Sequence, residues 1–165
     1  MDTTFPAFGD PYHVGVVVQD MDRTIERYRS MLGMTDWAVR TNTVEAEYRG
    51  RRQTLVSRGG FSRWGDGYLE LVQPIQGDSP ATEFLRERGE GAYHVGYFRP
   101  QDELDAPLPG ADIHFRVWDE RDLVAVYLDT FEALGLYVEF VRAERAGEFA
   151  AWVAETTRPW TSPTD

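Results

Sequence analysis

The chain has 165 residues, 42% hydrophobic, 27% charged and 13% aromatic, the balance of a globular domain and not of a disordered, collagenous or low-complexity chain. Its 17 basic residues are all Arg and it has no Cys, which excludes lysine Schiff bases, a P-loop lysine, cysteine nucleophiles and iron–sulfur ligation. A net charge of −11 opposes phosphate backbones and anionic membranes, no apolar run approaches the roughly 20 residues that span a bilayer, and Met1-Asp2-Thr3-Thr4-Phe5 lacks a signal-peptide pattern; one soluble, cytoplasmic domain over 1–165, with no nucleic-acid or membrane partner, is expected.

In chain order, residues 13–18 read as a strand leading into a helix over 22–32. Asp20 or Asp22 can cap that helix, Met21, Ile25, Tyr28 and Leu32 share one face, and Gly33 is placed to end it. Strands follow at 36–43 and 52–57, joined through Arg49-Gly50-Arg51, and at 68–73, where Pro74 is expected to stop the run. The order is β-α-β-β-β. Ahead of the last strand, Gly59-Gly60-Phe61-Ser62-Arg63-Trp64-Gly65-Asp66-Gly67 combines glycine hinges with large aromatics, the composition of a lid or of a plain hairpin loop. Ser79, with Pro80 at the first helical position, opens a short linking helix that Gly89 ends.

A second series begins with a strand at 92–98, but Pro100, Pro107, Pro109 and Gly110 interrupt the place of its helix and leave at most one turn over 101–104. Strands resume at 112–117, 123–129 and 137–141. A last amphipathic helix over 144–155 turns Phe149, Trp152 and Val153 toward an apolar partner, either the core or a second subunit.

The two series rhyme. Tyr12-His13-Val14-Gly15-Val16 recurs as Tyr93-His94-Val95-Gly96-Tyr97, and Tyr68-Leu69-Glu70-Leu71-Val72 as Tyr137-Val138-Glu139-Phe140-Val141. The segments divide into one module over about 10–75, a second over about 91–142, and a C-terminal helix and tail over 143–165. Two of the three histidines and two glutamates therefore occupy equivalent places, each centred in an apolar strand. Alternation puts His13 on one face with Gly15 and Val17, and Glu70 with Tyr68 and Val72. If the modules pack as equivalent halves of a curved sheet, His13, Glu70, His94 and Glu139 converge in one cleft. Two nitrogen and two carboxylate donors suit Zn, Ni, Co, Mn or Fe(II). The structural alternative pairs each glutamate with an arginine. His114 has no echo and is read as pocket-lining or structural. Arg49, Arg51, Arg52, Arg58 and Arg63 form the densest basic patch, a solvated strand face or a seat for an anionic substrate tail.

Together these residues resemble the vicinal oxygen chelate superfamily, which includes glyoxalase I, methylmalonyl-CoA epimerase, extradiol dioxygenases and the fosfomycin and bleomycin resistance proteins. The resemblance runs from Tyr12 to about Val141 and rests on Tyr12 to Val18, Asp20-Met21-Asp22-Arg23-Thr24-Ile25, Glu70-Leu71-Val72-Gln73-Pro74, Gly89 to Gly96 and Gly135-Leu136-Tyr137-Val138-Glu139. It implies an α+β fold of two tandem βαβββ modules forming an open curved mixed sheet, the second module with a shortened helix. By the same resemblance His13, Glu70, His94 and Glu139 hold one divalent metal ion and a homodimer is expected. The implied activity is that of a lyase or isomerase, glyoxalase- or epimerase-like, acting on a small carbonyl substrate through a metal-stabilised enolate, with Glu139, or else Glu70, as the base. The alternatives are a small-molecule binding or resistance protein without catalysis and an iron-dependent ring-cleaving dioxygenase.

Overall fold

A computed structural model of the chain describes residues 9–161; the stretch Met1 to Phe5, read above for want of a leader, lies outside them. Strand β1 (His13–Val17) enters helix α1 (Met21–Leu32). The Asp20 side chain caps that helix by accepting from the Arg23 N–H at 3.0 Å, and Gly33 ends it in the left-handed conformation at φ 70°. Three strands follow, β2 (Asp36–Tyr48), β3 (Arg51–Trp64) and β4 (Gly67–Gln76), and then the linking helix α2 (Pro80–Arg88), whose Ser79 cap accepts from the Thr82 N–H. The second series is β5 (Gly91–Arg99), a single 3₁₀ turn at Gln101–Glu103, β6 (Ile113–Asp119), β7 (Asp122–Leu128), a one-turn helix α3 (Phe131–Leu134) and β8 (Tyr137–Arg142). Helix α4 (Ala146–Thr156) and the short β9 (Arg158–Pro159) complete the described chain.

The strands are longer than the local signals predict. Those signals end β2 near Thr43, yet it continues to Tyr48 because β3 pairs with it along nearly its whole length. Pro74 does not stop β4. Beyond Val72 the strand no longer borders β1, so the missing N–H removes no ladder bond, and the register with β3 shifts between Val56 and Ser57 to pass it. No lid exists at Gly59 to Gly67: Gly59–Trp64 is paired with β4, and Gly65 and Asp66 alone make the turn.

The sheet is mixed, and it closes instead of remaining open. Its order runs β3-β4-β1-β5-β8-β7-β6-β2, and β2 pairs back onto β3, so eight strands form a barrel-like ring to which β9 adds at Asp36 and Trp37. Closure depends on the length of β2, whose end, Glu45 to Tyr48, pairs with Trp118 to Phe115 of β6. The two series take equivalent places, β1-β4-β3-β2 and β5-β8-β7-β6, and meet where β1 runs antiparallel to β5.

The outer face of each half is covered differently. Met21 and Ile25 of α1 pack on Leu69 and Leu71, the outward residues of β4. In the other half the broken stretch does the same work without a helix: Leu104, 0% exposed, packs with Val126, Leu128 and Phe140. The inner face is left for Val17, Leu55, Tyr93, Phe115 and Tyr127 at one end and for polar residues beyond them. Among the described residues no helix is long and apolar enough to cross a membrane.

Candidate metal centre

His13 on β1, Glu70 on β4, His94 on β5 and Glu139 on β8 all face the interior of the ring, as strand alternation requires. The four strands are consecutive neighbours, with Gly15 opposite both Glu70 and His94, and Gly96 opposite both His13 and Glu139. The Nε2 atoms of the two imidazoles lie 2.7 Å apart. Glu70 Oε2 lies 3.2 Å from His13 Nε2 and 3.1 Å from His94 Nε2, and Glu139 Oε2 lies 3.0 and 3.3 Å from the same two atoms. No arginine takes part, so the alternative of two separate arginine bridges does not describe this site.

The repeated His-x-Gly spacing has a packing cause that the sequence did not disclose. Because β1 and β5 run antiparallel with His13 opposite Gly96 and Gly15 opposite His94, each imidazole lies across the other strand's glycine. A Cβ at Gly15 would overlap the His94 ring, and one at Gly96 would overlap the His13 ring. The signal was present in both echoes. The pairing skips Tyr93, opposite a register shift between Gly15 and Val16, and this bulge lets Tyr93 and His94 both face inward although they are successive residues.

Electrostatically the cluster is a tight set of two bases and two acids. Burial alone would lower the His13 pKa, but its contacts with Glu139 and Glu70 outweigh that and raise it to about 9. His94 is raised for the same reasons. Burial works against ionising Glu70 and Glu139, yet the imidazoles hold both carboxyls below their ordinary range. Burial also pushes the phenols of Tyr12, Tyr93 and Tyr127 well above their usual value, helped by the two carboxylates, so all three stay protonated donors.

The donor set fits one divalent ion. An octahedral ion with bonds of about 2.1 Å has neighbouring ligand atoms about 3.0 Å apart, and the contacts here span 2.7 to 3.3 Å. Four donor atoms within 4.8 Å of one another come from residues that are buried or half-buried. Both imidazoles present Nε2 inward, while Nδ1 of each is buried without a hydrogen-bond partner.

A cavity of about 600 Å³ opens beside the cluster, lined by His13, Glu70, Glu139, Tyr93 and Tyr127 at its floor and by Phe149 and Trp152 of α4 at its mouth. Phe149 meets Tyr12, Phe61 and Tyr68 edge-on with centroids 4.9 to 5.6 Å apart, so α4 is seated on this chain's own cavity. His114 is not part of that lining. It sits between Tyr48 and Tyr137, with ring centroids 5.7 and 5.2 Å away, and burial lowers its pKa. The five-arginine patch is elsewhere too. Arg49 pairs with Glu83, Arg51 with Asp78 and Arg58 with Asp22, while Arg52 lies over Trp118 and Arg63 over Tyr68. The cavity-lining arginines are Arg40 and Arg145, which sequence reasoning passed over.

A family model described as the Glyoxalase/Bleomycin resistance protein/Dioxygenase superfamily matches residues 12–109. Among curated proteins, the uncharacterized protein YqjC of Bacillus subtilis (strain 168) is 28% identical over 85 residues, 52% of this chain and 54% of that one, so the chain spans about half the length of the relative it matches. Among solved structures, a variant of Streptomyces coelicolor methylmalonyl-CoA epimerase in complex with 2-nitronate-propionyl-CoA aligns with a TM-score of 0.58 at 22% identity, covering 81% of this chain and 94% of that one. A hypothetical protein from Bacillus halodurans C-125 aligns at 0.54 and 20% identity, covering 81% and 93%. At such identities the likeness is one of fold.

Proposed function

The chain belongs to the glyoxalase/bleomycin resistance protein/dioxygenase superfamily, and on that premise we propose that it is a divalent-metal-dependent lyase or isomerase, glyoxalase- or epimerase-like, acting on a small carbonyl compound. The observation that carries this reading is the convergence of His13, Glu70, His94 and Glu139 on one point at the floor of a cavity of about 600 Å³. A bound divalent ion would supply Lewis acidity, lowering the cost of the negative charge that builds on a carbonyl oxygen when the neighbouring carbon loses a proton.

The chain's own residues divide the remaining work. His13 and His94, seated against Gly96 and Gly15, would hold the ion through Nε2 as neutral imidazoles once it has displaced their protons. Glu139 takes the proton from the substrate carbon and returns it, to another face or to the adjacent atom, while Glu70 stays as the counter-charge. Tyr127, beside Glu139 across the β7–β8 ladder, keeps its phenol protonated and can donate to a substrate oxygen. Phe61, Phe149 and Trp152 form an apolar wall that limits water at the reacting carbon.

The test is proton exchange. Protein loaded with each of the five metals is incubated in deuterated buffer with a panel of carbonyl compounds, methylmalonyl-CoA among them, and followed by NMR. The expected result is metal-dependent deuterium incorporation next to the carbonyl, reduced about 100-fold or more by Glu139→Gln. Absence of exchange with every compound, alongside oxygen uptake with catechols by the iron-loaded protein, would replace this reading with ring cleavage.

A further inference from the structure

On the inner face of β2, Arg40 and Asn42 point into the cavity that holds the cluster. Arg40 stands opposite Gly59, which stands opposite Val72, so it lies two strands from β4 and one inward position along from the Ala38–Phe61–Glu70 row. With strands about 4.8 Å apart and a two-residue offset along them, this places the base of its side chain about 12 Å along the wall from that of Glu70. The guanidinium extends over the face of Trp152, 4.1 Å from the ring centroid.

The other cavity arginine is already answered. Arg145 pairs with Asp119 at 3.1 Å and Glu148 at 3.7 Å. Among the described residues no carboxylate comes within ion-pair distance of Arg40, and stacking on the Trp152 face leaves its in-plane N–H fork undirected toward any protein acceptor. The Arg40 side chain is exposed to the cavity and solvent, not sealed in the wall; desolvation and then the like charge of Arg145 lower its pKa, while Glu70, Tyr12 and Asp119, none of them in an ion pair with it, act the other way.

We infer that Arg40 is a specificity-determining residue that binds a carboxylate of the substrate, at the end opposite the oxygens that approach His13, Glu70, His94 and Glu139. A planar two-oxygen anion matches the guanidinium fork. One unanswered cation suits one negative charge, whereas a phosphate would bring nearly two. Trp152 and Phe149 then contact the carbon chain between the two ends. The inference rests on the metal-centre reading above and extends it to the substrate class.

The experiment titrates 2-oxoglutarate and 2-oxoadipate, and the length-matched 2-oxopentanoate and 2-oxohexanoate, into the full-length protein by calorimetry, with and without Co(II), for wild type, Arg40→Met and Arg40→Lys. In the Co(II)-loaded wild type a dicarboxylate is expected to bind at least tenfold more tightly than its matched monocarboxylate. In Arg40→Met that ratio is expected to fall below about twofold with the monocarboxylate unchanged, and Arg40→Lys should recover part of it. A wild type that binds no dicarboxylate or does not discriminate, or an Arg40→Met that discriminates equally, would overturn the assignment. If neither Co(II) nor, in the same titration, Zn, Ni, Mn or Fe(II) binds, or none changes the affinity of either class, the metal-centre reading fails instead, and the dicarboxylate ratio without metal still decides for or against Arg40.

Discussion

Each imidazole of the centre lies over a glycine of the neighbouring strand, and this fixes where the two Nε2 atoms meet. An alanine at Gly15 or Gly96 has to push a ring out of place. Gly15→Ala and Gly96→Ala are each expected to keep the far-UV circular dichroism of the fold while weakening metal affinity about 10- to 100-fold, the scale found when a ligand loses its orienting contacts. Unchanged affinity would show that the rings are positioned by something else. The same residues set a pH dependence. His13, raised to about 9 against an ordinary 6.5, stabilises the metal-free fold fully below 6.5, and that contribution is lost as pH rises through about 9. Glu70 and Glu139, held low, contribute above their ordinary 4.5 and lose it as pH falls. The metal-free protein is therefore expected to be most stable between about pH 4.5 and 6.5. A metal must displace the imidazole protons, so the gain in Tm on loading is expected to widen from pH 6.5 toward 9. A gain independent of pH would contradict the protonation scheme.

At the scale of elements, the second half shows what replaces a helix. Leu104 plugs the outer face of β7 and β8 as Met21 and Ile25 of α1 cover β4, so Leu104→Ala is expected to cost about 2–5 kcal/mol in urea unfolding, at unchanged metal stoichiometry. Ser79→Ala, which removes the cap of α2, is expected to cost about 1 kcal/mol in the same measurement. Values near zero for Leu104→Ala would mean the broken stretch is not a cover. Much at this scale was legible because it is local: Asp20, Gly33, Ser79 and Pro80 mark helix ends by capping chemistry, and alternation grouped His13 with Gly15 and Val17 and Glu70 with Tyr68 and Val72. What was not legible depends on partners far along the chain. The lengths of β2 and β3 come from their mutual pairing, the passage of β4 through Pro74 depends on its losing a neighbour there, and Arg40 joins the cavity only because β2 closes the ring. Tyr93 escapes alternation through a bulge that no short pattern announces.

For the whole molecule, duplication explains how four candidate ligands come together from two similar strand pairs. Each half supplies one His and one Glu, and the antiparallel meeting of β1 and β5 brings the halves together. The ring is closed by β2 and β6, contacts between distant segments that carry no local sign. A surface of net charge −11 draws divalent cations loosely to many carboxylates, so metal found with the protein is informative only if it depends on the centre. The decisive measurement is elemental analysis of wild type and His94→Ala, both purified without chelator, loaded in turn with Zn, Ni, Co, Mn and Fe(II), desalted and checked for folding by circular dichroism. About one ion per chain is expected for wild type with at least one of these metals, and almost none for folded His94→Ala. Equal metal in both proteins, or none in either, would contradict the metal centre.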